Sequence, residues 1–175
     1  MRQFLLVVGM CVFSLGEVGQ TWFVDADNAG GTEDGLSWAT AFSSIQAGLD
    51  AAAVGGAGGE VWVAEGTYTG DGDNVVELQL GIELQGGFAG TESSRDERIR
   101  EGHISIIDGE DARRCVLGAN SATLDGFTLT NAVASIGGGM RNSRVSLLTV
   151  ANCIFIDNES TFVPAGGGSD GGGGA

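Results

Sequence analysis

The sequence contains no lysine. All 8 basic side chains are arginine, set against 23 carboxylates for a formal charge of -15 over 175 residues. That balance excludes nucleic acid as a partner, because neutralising phosphates requires clustered Lys and Arg. There is one histidine, His103. It argues against a histidine-built metal site and has no nucleophile near it in sequence to form a triad, so it reads as a surface residue. Only 1 proline interrupts the chain, which suits strands hydrogen-bonded on both sides. Aromatics make up 7%, and the 32 glycines lack the period of three that collagen needs. What is present is apolar enough to fold: 42% hydrophobic residues and a mean hydropathy of +0.14 exclude a disordered acidic chain and predict a single domain.

The one long hydrophobic run lies at the N-terminus. Arg2 precedes Phe4 to Phe13, and small residues follow at Ser14 and Gly16. This is the layout of a secretory signal peptide, and the run falls short of the roughly 20 apolar residues that span a bilayer. Residues 1–19 are therefore expected to be an export leader, which makes the mature protein secreted or cell-surface. Its removal takes Cys11 and leaves Cys115 and Cys153, for which two readings stay open: a disulfide, or two small apolar core residues.

Residues 20–59 read as a strand at Trp22 to Val24, a polar loop at Asp25 to Gly35 and a short capping helix. Ser43 is the expected N-cap, with Gln46 completing a capping box and Phe42 a staple; Ile45, Leu49 and Ala52 form the apolar face, and the glycines at 55 and 56 stop it. Residues 60–165 follow as short apolar or alternating runs separated by Gly, Asn and Asp, expected to be strands. Residues 166–175 are a Gly-rich tail resembling an interrupted further coil, so the chain reads as a truncated frame or a fragment. One brief repeat stands out: at an offset of 26, Leu124 superposes on Val150, Phe127 on Cys153 and Leu129 on Phe155. Stacking such units would place like side chains above like.

Several stretches carry a resemblance. Trp22-Phe23-Val24-Asp25-Ala26-Asp27-Asn28, Asp34 to Phe42, Val61 to Tyr68, Gly86-Gly87-Phe88 and Ile107-Asp108-Gly109 resemble the entry module of secreted bacterial right-handed parallel β-helix proteins of the pectin-lyase-like superfold. Gly137-Gly138-Gly139-Met140 and Phe155-Ile156-Asp157-Asn158 are similar to repeats of polymorphic outer-membrane proteins, although no C-terminal membrane-barrel pattern accompanies them. The resemblance implies an all-β fold: a right-handed parallel β-helix, or solenoid, with a short N-terminal capping α-helix.

Candidate chemistry is sparse. Asp25, Asp27, Asn28 and Asp34 cluster as oxygen donors for a calcium ion, although the loop fails the EF-hand template at Ala29 and Leu36; the competing reading is that they make turns. Asp71 to Asn74 is a weaker case of the same kind. The run Arg95 to Glu101, with Arg113 and Arg114, offers an anion clamp, but its alternating signs favour a solvated, self-paired loop. Asp108, Asp111 and Asp125 are carboxylates of the type glycosidases pair, yet Asp108-Gly109 and Asp125-Gly126 are equally good turn dipeptides. No catalytic residue is assigned. The expected function is an exported non-catalytic module presenting a long β-face for adhesion, with a glycan or a surface protein as partner. The alternative, implied by the resemblance, is the N-terminal part of a polysaccharide lyase or glycoside hydrolase. Calcium is the only cofactor considered.

Overall fold

The computed structural model describes residues 19–28 and 31–162. The expected leader up to residue 18 and the Gly-rich tail therefore lie outside the described residues. After β1 (Thr21–Val24) come a helix, α1 (Ile45–Val54), and thirteen further strands: β2 (Glu60–Ala64), β3 (Gly66–Tyr68), β4 (Asn74–Glu77), β5 (Glu83–Phe88), β6 (Ser105–Asp108), β7 (Arg114–Leu117), β8 (Thr123–Asp125), β9 (Phe127–Thr130), β10 (Val133–Ala134), β11 (Met140–Arg141), β12 (Thr149–Ala151), β13 (Ile154–Ile156) and β14 (Glu159–Ser160). They form four sheets, in the orders β1-β2-β5-β8-β12, β3-β6-β9-β13, β4-β7-β11 and β10-β14. Every pairing is parallel.

Register places like on like. In the five-stranded sheet Trp22, Val61, Leu84, Leu124 and Val150 stand in one column. In the four-stranded sheet the column is Tyr68, Ile107, Leu129 and Phe155, and in the three-stranded sheet Val76, Val116 and Met140. These columns point inward, and eight of their twelve residues belong to the buried core, beside Val24, Val63, Ile82, Phe127 and the helix residues Ile45, Leu49 and Ala52. Each fully buried aliphatic or aromatic side chain contributes roughly 1.5–3 kcal/mol.

The sheets turn into one another at residues that tolerate a left-handed backbone. Gly126 (φ 84) separates β8 from β9, and Asn152 (φ 51) does the same one rung later between β12 and β13. Within β5 the register against β2 shifts between Trp62 and Ala64, so that Ala64 opposes Phe88. Gly87 (φ 91) absorbs the irregularity, and Phe88 stacks on Trp62 with ring centroids 4.8 Å apart.

The helix starts one residue later than expected. Ser44, not Ser43, is the N-cap and accepts from the Ala47 amide at 3.3 Å. Gln46 is drawn away from a capping box: its side-chain carbonyl accepts from the Glu77 amide at 2.8 Å and its amide donates to Asp50 Oδ1 at 2.9 Å. Ile45, Leu49 and Ala52 are buried against β1, β2 and β4, and Gly56 (φ 93) follows the helix.

The expected all-β solenoid is corrected by these observations. The structure is a single α/β unit, one helix packed on four parallel sheets, in which α1 is part of the core. Nor does the chain repeat at a fixed length. Along the five-stranded sheet the paired residues Thr21, Glu60, Glu83, Thr123 and Thr149 are separated by 39, 23, 40 and 26 residues. The 26-residue offset seen in the sequence is thus the register of the last two rungs only. The first long return carries helix α1, and the second carries the loop from Ala89 to Ile104.

Candidate binding surface

At the far end of the sheets from α1, the core columns run out of cover. Leu124 and Leu129 are fully buried, whereas their successors Val150 and Phe155 are 41% and 48% exposed. Beside them Ile154 and Ile156 are 60% and 49% exposed. Strands β12, β13, β11 and β14 each close one side of their sheet. Among the described residues this end therefore combines exposed apolar side chains with unpaired strand edges, a combination proteins ordinarily cover.

Behind it lies a charged strut. Arg98 leaves the loop between β5 and β6 and turns inward, with its side chain 5% exposed and that of Asp125 12% exposed. Nη1 of Arg98 donates to Asp125 Oδ2 at 2.7 Å, Nη2 to the Asp125 carbonyl at 2.8 Å, and Nε to the Gly86 carbonyl. The guanidinium lies 5.5 Å from the Phe88 ring centroid. Asn152 Nδ2 donates to the other carboxylate oxygen, Oδ1, at 2.6 Å, tying β8 to the corner before β13. Burial alone would raise the Asp125 pKa, but the Asn152 amide, the Arg98 ion pair and the charge of Arg100 hold it below the ordinary value. Asp125 is thus an ionised structural anchor. Next to it Arg100, Glu101, Ile104, Phe127, Asn152 and Ile154 contribute to a cleft of about 400 Å³.

The sequence candidates are dispersed. Asp25 Oδ1 accepts from the Asp27 amide at 3.0 Å, Asn28 Nδ2 donates to the Ala41 carbonyl at 2.6 Å, and Asp34 Oδ1 accepts from the Leu36 amide at 3.0 Å. Hydrogen bonds from Thr40 and Leu36 lower the Asp34 pKa. Asp25 and Asp34 accept from amides of their own loop and Asn28 ties that loop to Ala41, and among the described residues no three His, Cys, Asp or Glu side chains group to hold a metal. In the Asp71 to Asn74 turn, Asn74 donates to Glu77 Oε1 at 2.8 Å. Asp108 closes a turn by accepting from the Glu110 amide at 2.8 Å and links rungs by accepting from Asn131 Nδ2 at 3.1 Å. Asp111 has a left-handed backbone (φ 54). His103 Nδ1 sits 3.1 Å from Glu65 Oε2 at the surface.

The basic-acidic run divides. Arg95 bridges Glu83 at 3.2 Å and Glu60 at 3.6 Å on the surface, as alternating charge suggests, while Arg98 is internal. Nothing in the run itself distinguishes Arg98; only the carbonyl of Gly86 and the side chain of Asp125, brought in by the sheets, do. Both Cys115 and Cys153 are free thiols. Burial pushes Cys115 up to about 11 and raises Cys153 as well.

Comparison with protein-family models, with curated proteins and with solved structures finds no match for this chain. The resemblance to pectin-lyase-like and outer-membrane repeat proteins is accordingly corrected, along with the function built on it. The unit is compact and internally cross-linked by hydrogen bonds and ion pairs, not an extended repeat presenting a long adhesive β-face. The lyase or glycoside hydrolase alternative rested on the same resemblance. Among the described residues no helix is long and apolar enough to cross a membrane.

Proposed function

We propose that the domain is a non-catalytic assembly module that associates with a second copy of itself through its bare end. The observation carrying this reading is the abrupt change along the core columns, from buried Leu124 and Leu129 to half-exposed Val150 and Phe155.

Three features favour a second copy as the occupant. First, α1 packs on β1, β2 and β4 at the opposite end, so copies cannot stack head to tail there without displacing it. A two-fold contact between bare ends avoids that obstacle and closes in a dimer. Second, such a contact can set an exposed edge strand against its counterpart in antiparallel sense, which satisfies strand-edge groups as well as apolar side chains. Third, the chain as a whole carries -15, but from Met140 to Ser160 the charged residues are only Arg141, Arg144, Asp157 and Glu159, which cancel. The bare end is where two copies of this acidic chain repel each other least. The export expected from the N-terminal layout belongs to the same proposal and would place the assembly outside the cytoplasm.

Sedimentation velocity of the full chain over a hundredfold concentration range tests this. A monomer–dimer equilibrium is expected, with Phe155→Asp shifted to monomer and an unchanged far-ultraviolet circular dichroism spectrum. A wild-type chain that stays monomeric throughout, or a Phe155→Asp variant that dimerises equally well, overturns the proposal.

A further inference from the structure

A second feature lies on the outer flank of the three-stranded sheet, away from the apolar columns. Arg113, Arg114 and Arg141 line one cleft of about 410 Å³, together with Asp73, Val133 and Ser135. Three of only eight basic residues in a strongly acidic chain thus converge on one depression. Their placement follows from the fold. Arg113 and Arg114 enter β7, and Arg141 ends β11, paired to Leu117 of β7 on the side opposite the inward column of Val116 and Met140.

The three guanidinium groups are not equivalent. Arg114 is fixed: Nε donates to the Gly137 carbonyl at 2.9 Å, Nη2 to the Ile136 carbonyl at 3.0 Å, and Nη1 to Asn74 Oδ1. It contributes a held charge. Arg141 lies on the exposed rim. Arg113 is the unusual member. Its Nη2 lies 3.4 Å from Glu110 Oε2, yet its Nε and Nη1 are shielded from solvent without any hydrogen-bond acceptor. Buried N–H donors left unmet are costly, more so on a charged group, so this side chain gains by turning toward any acceptor that enters the cleft. Two carboxylates oppose the three arginines, Asp73 in the lining and Glu110 on Arg113. The local balance is still positive, on a surface that elsewhere repels anions.

We infer that this cleft binds a small oxyanion, an inorganic phosphate or sulfate group or the same group on a larger ligand, through Arg113 and Arg141 with Arg114 as a fixed flanking charge. The unmet Nε–H and Nη1–H of Arg113 lie on different edges of the guanidinium, so together with Arg141 they suit the several acceptor oxygens of such a group, which a single halide ion does not offer.

The probes are sodium phosphate and sodium sulfate, read by thermal melting and isothermal titration calorimetry of the full chain, with sodium chloride at matched ionic strength as reference. A saturable rise in Tm of about 2–4 °C is expected with either oxyanion and not with chloride. Arg141→Gln, an exposed change that leaves folding intact, should weaken the calorimetric affinity about tenfold. Arg113→Gln should weaken it further, while Arg144→Gln should leave it unchanged. A Tm rise that chloride matches, or an affinity that Arg141→Gln leaves untouched, overturns the inference. The Phe155→Asp variant should bind oxyanion as the wild type does, which separates this site from the bare end.

Discussion

Arg98 and Asp125 form a nearly enclosed ion pair, Nη1 to Oδ2 at 2.7 Å, in which the same guanidinium also holds the Asp125 backbone carbonyl at 2.8 Å. The pair fastens the long loop after β5 to β8, and through Asn152 to the corner leading into β13. Desolvating two charges is costly, and here it is offset by hydrogen bonds on nearly every available oxygen and by the Phe88 ring beneath the guanidinium.

Removing one partner should be worse than removing both. Arg98→Ala leaves a carboxylate with a single amide donor in a buried setting, and should lower stability by about 3–5 kcal/mol. Asp125→Ala should cost a similar amount. The double substitution should cost clearly less than the sum of the two. Urea denaturation of the four proteins gives the coupling, and strictly additive losses would show that the two side chains do not act as a unit.

Acid should act through the same carboxylate. Burial tends to raise the pKa of Asp125, but the Asn152 and Arg98 hydrogen bonds and the charges of Arg98 and Arg100 more than reverse this, leaving it below the ordinary aspartate value. A carboxyl depressed on folding contributes stability that is fully present above its unfolded pKa and disappears as pH falls through the folded value. The contribution should therefore be constant near neutrality and be lost below about pH 4. Because protonation also relieves the repulsion of a chain with 23 carboxylates, the decisive quantity is the difference in unfolding free energy between wild type and Asp125→Asn. It should shrink as pH drops from 6 to 2; a constant difference would remove Asp125 from the acid response.

The parts of this architecture legible in the sequence are those carried by local pattern. Ile45, Leu49 and Ala52 announce a helix face, and the 26-residue match of Leu124 with Val150 and Leu129 with Phe155 is the observed register. The pattern did not extend to a regular repeat because the 39- and 40-residue returns carry loops of their own. Arg98 was unreadable for another reason: its partners lie 12 and 27 residues away and meet it only once β5 and β8 are paired. The bare end was equally hidden. Phe155 and Leu129 have similar hydrophobicity, and only stacking shows that one has a rung above it and the other does not.

Gly109 is hemmed in by backbone on three sides. It follows β6, and a Cβ built there would lie 2.6 Å from Ala132 Cα, 2.6 Å from the Arg113 carbonyl oxygen and 2.7 Å from the Asn131 carbonyl oxygen. All three neighbours are backbone, so none can rotate away, and relief would require separating the turns that follow β6 and β9. Gly109→Ala should therefore destabilise by roughly 2–4 kcal/mol, at or beyond the upper end of ordinary overpacking. Gly72 is the control. Its added Cβ would meet only Asn74 backbone, at 3.5 Å, and its backbone is not left-handed, so Gly72→Ala should fall within about 0.5 kcal/mol of wild type. Denaturant midpoints of the two variants decide the matter: equal stabilities would mean that the β6 turn yields more readily than three converging backbone segments allow.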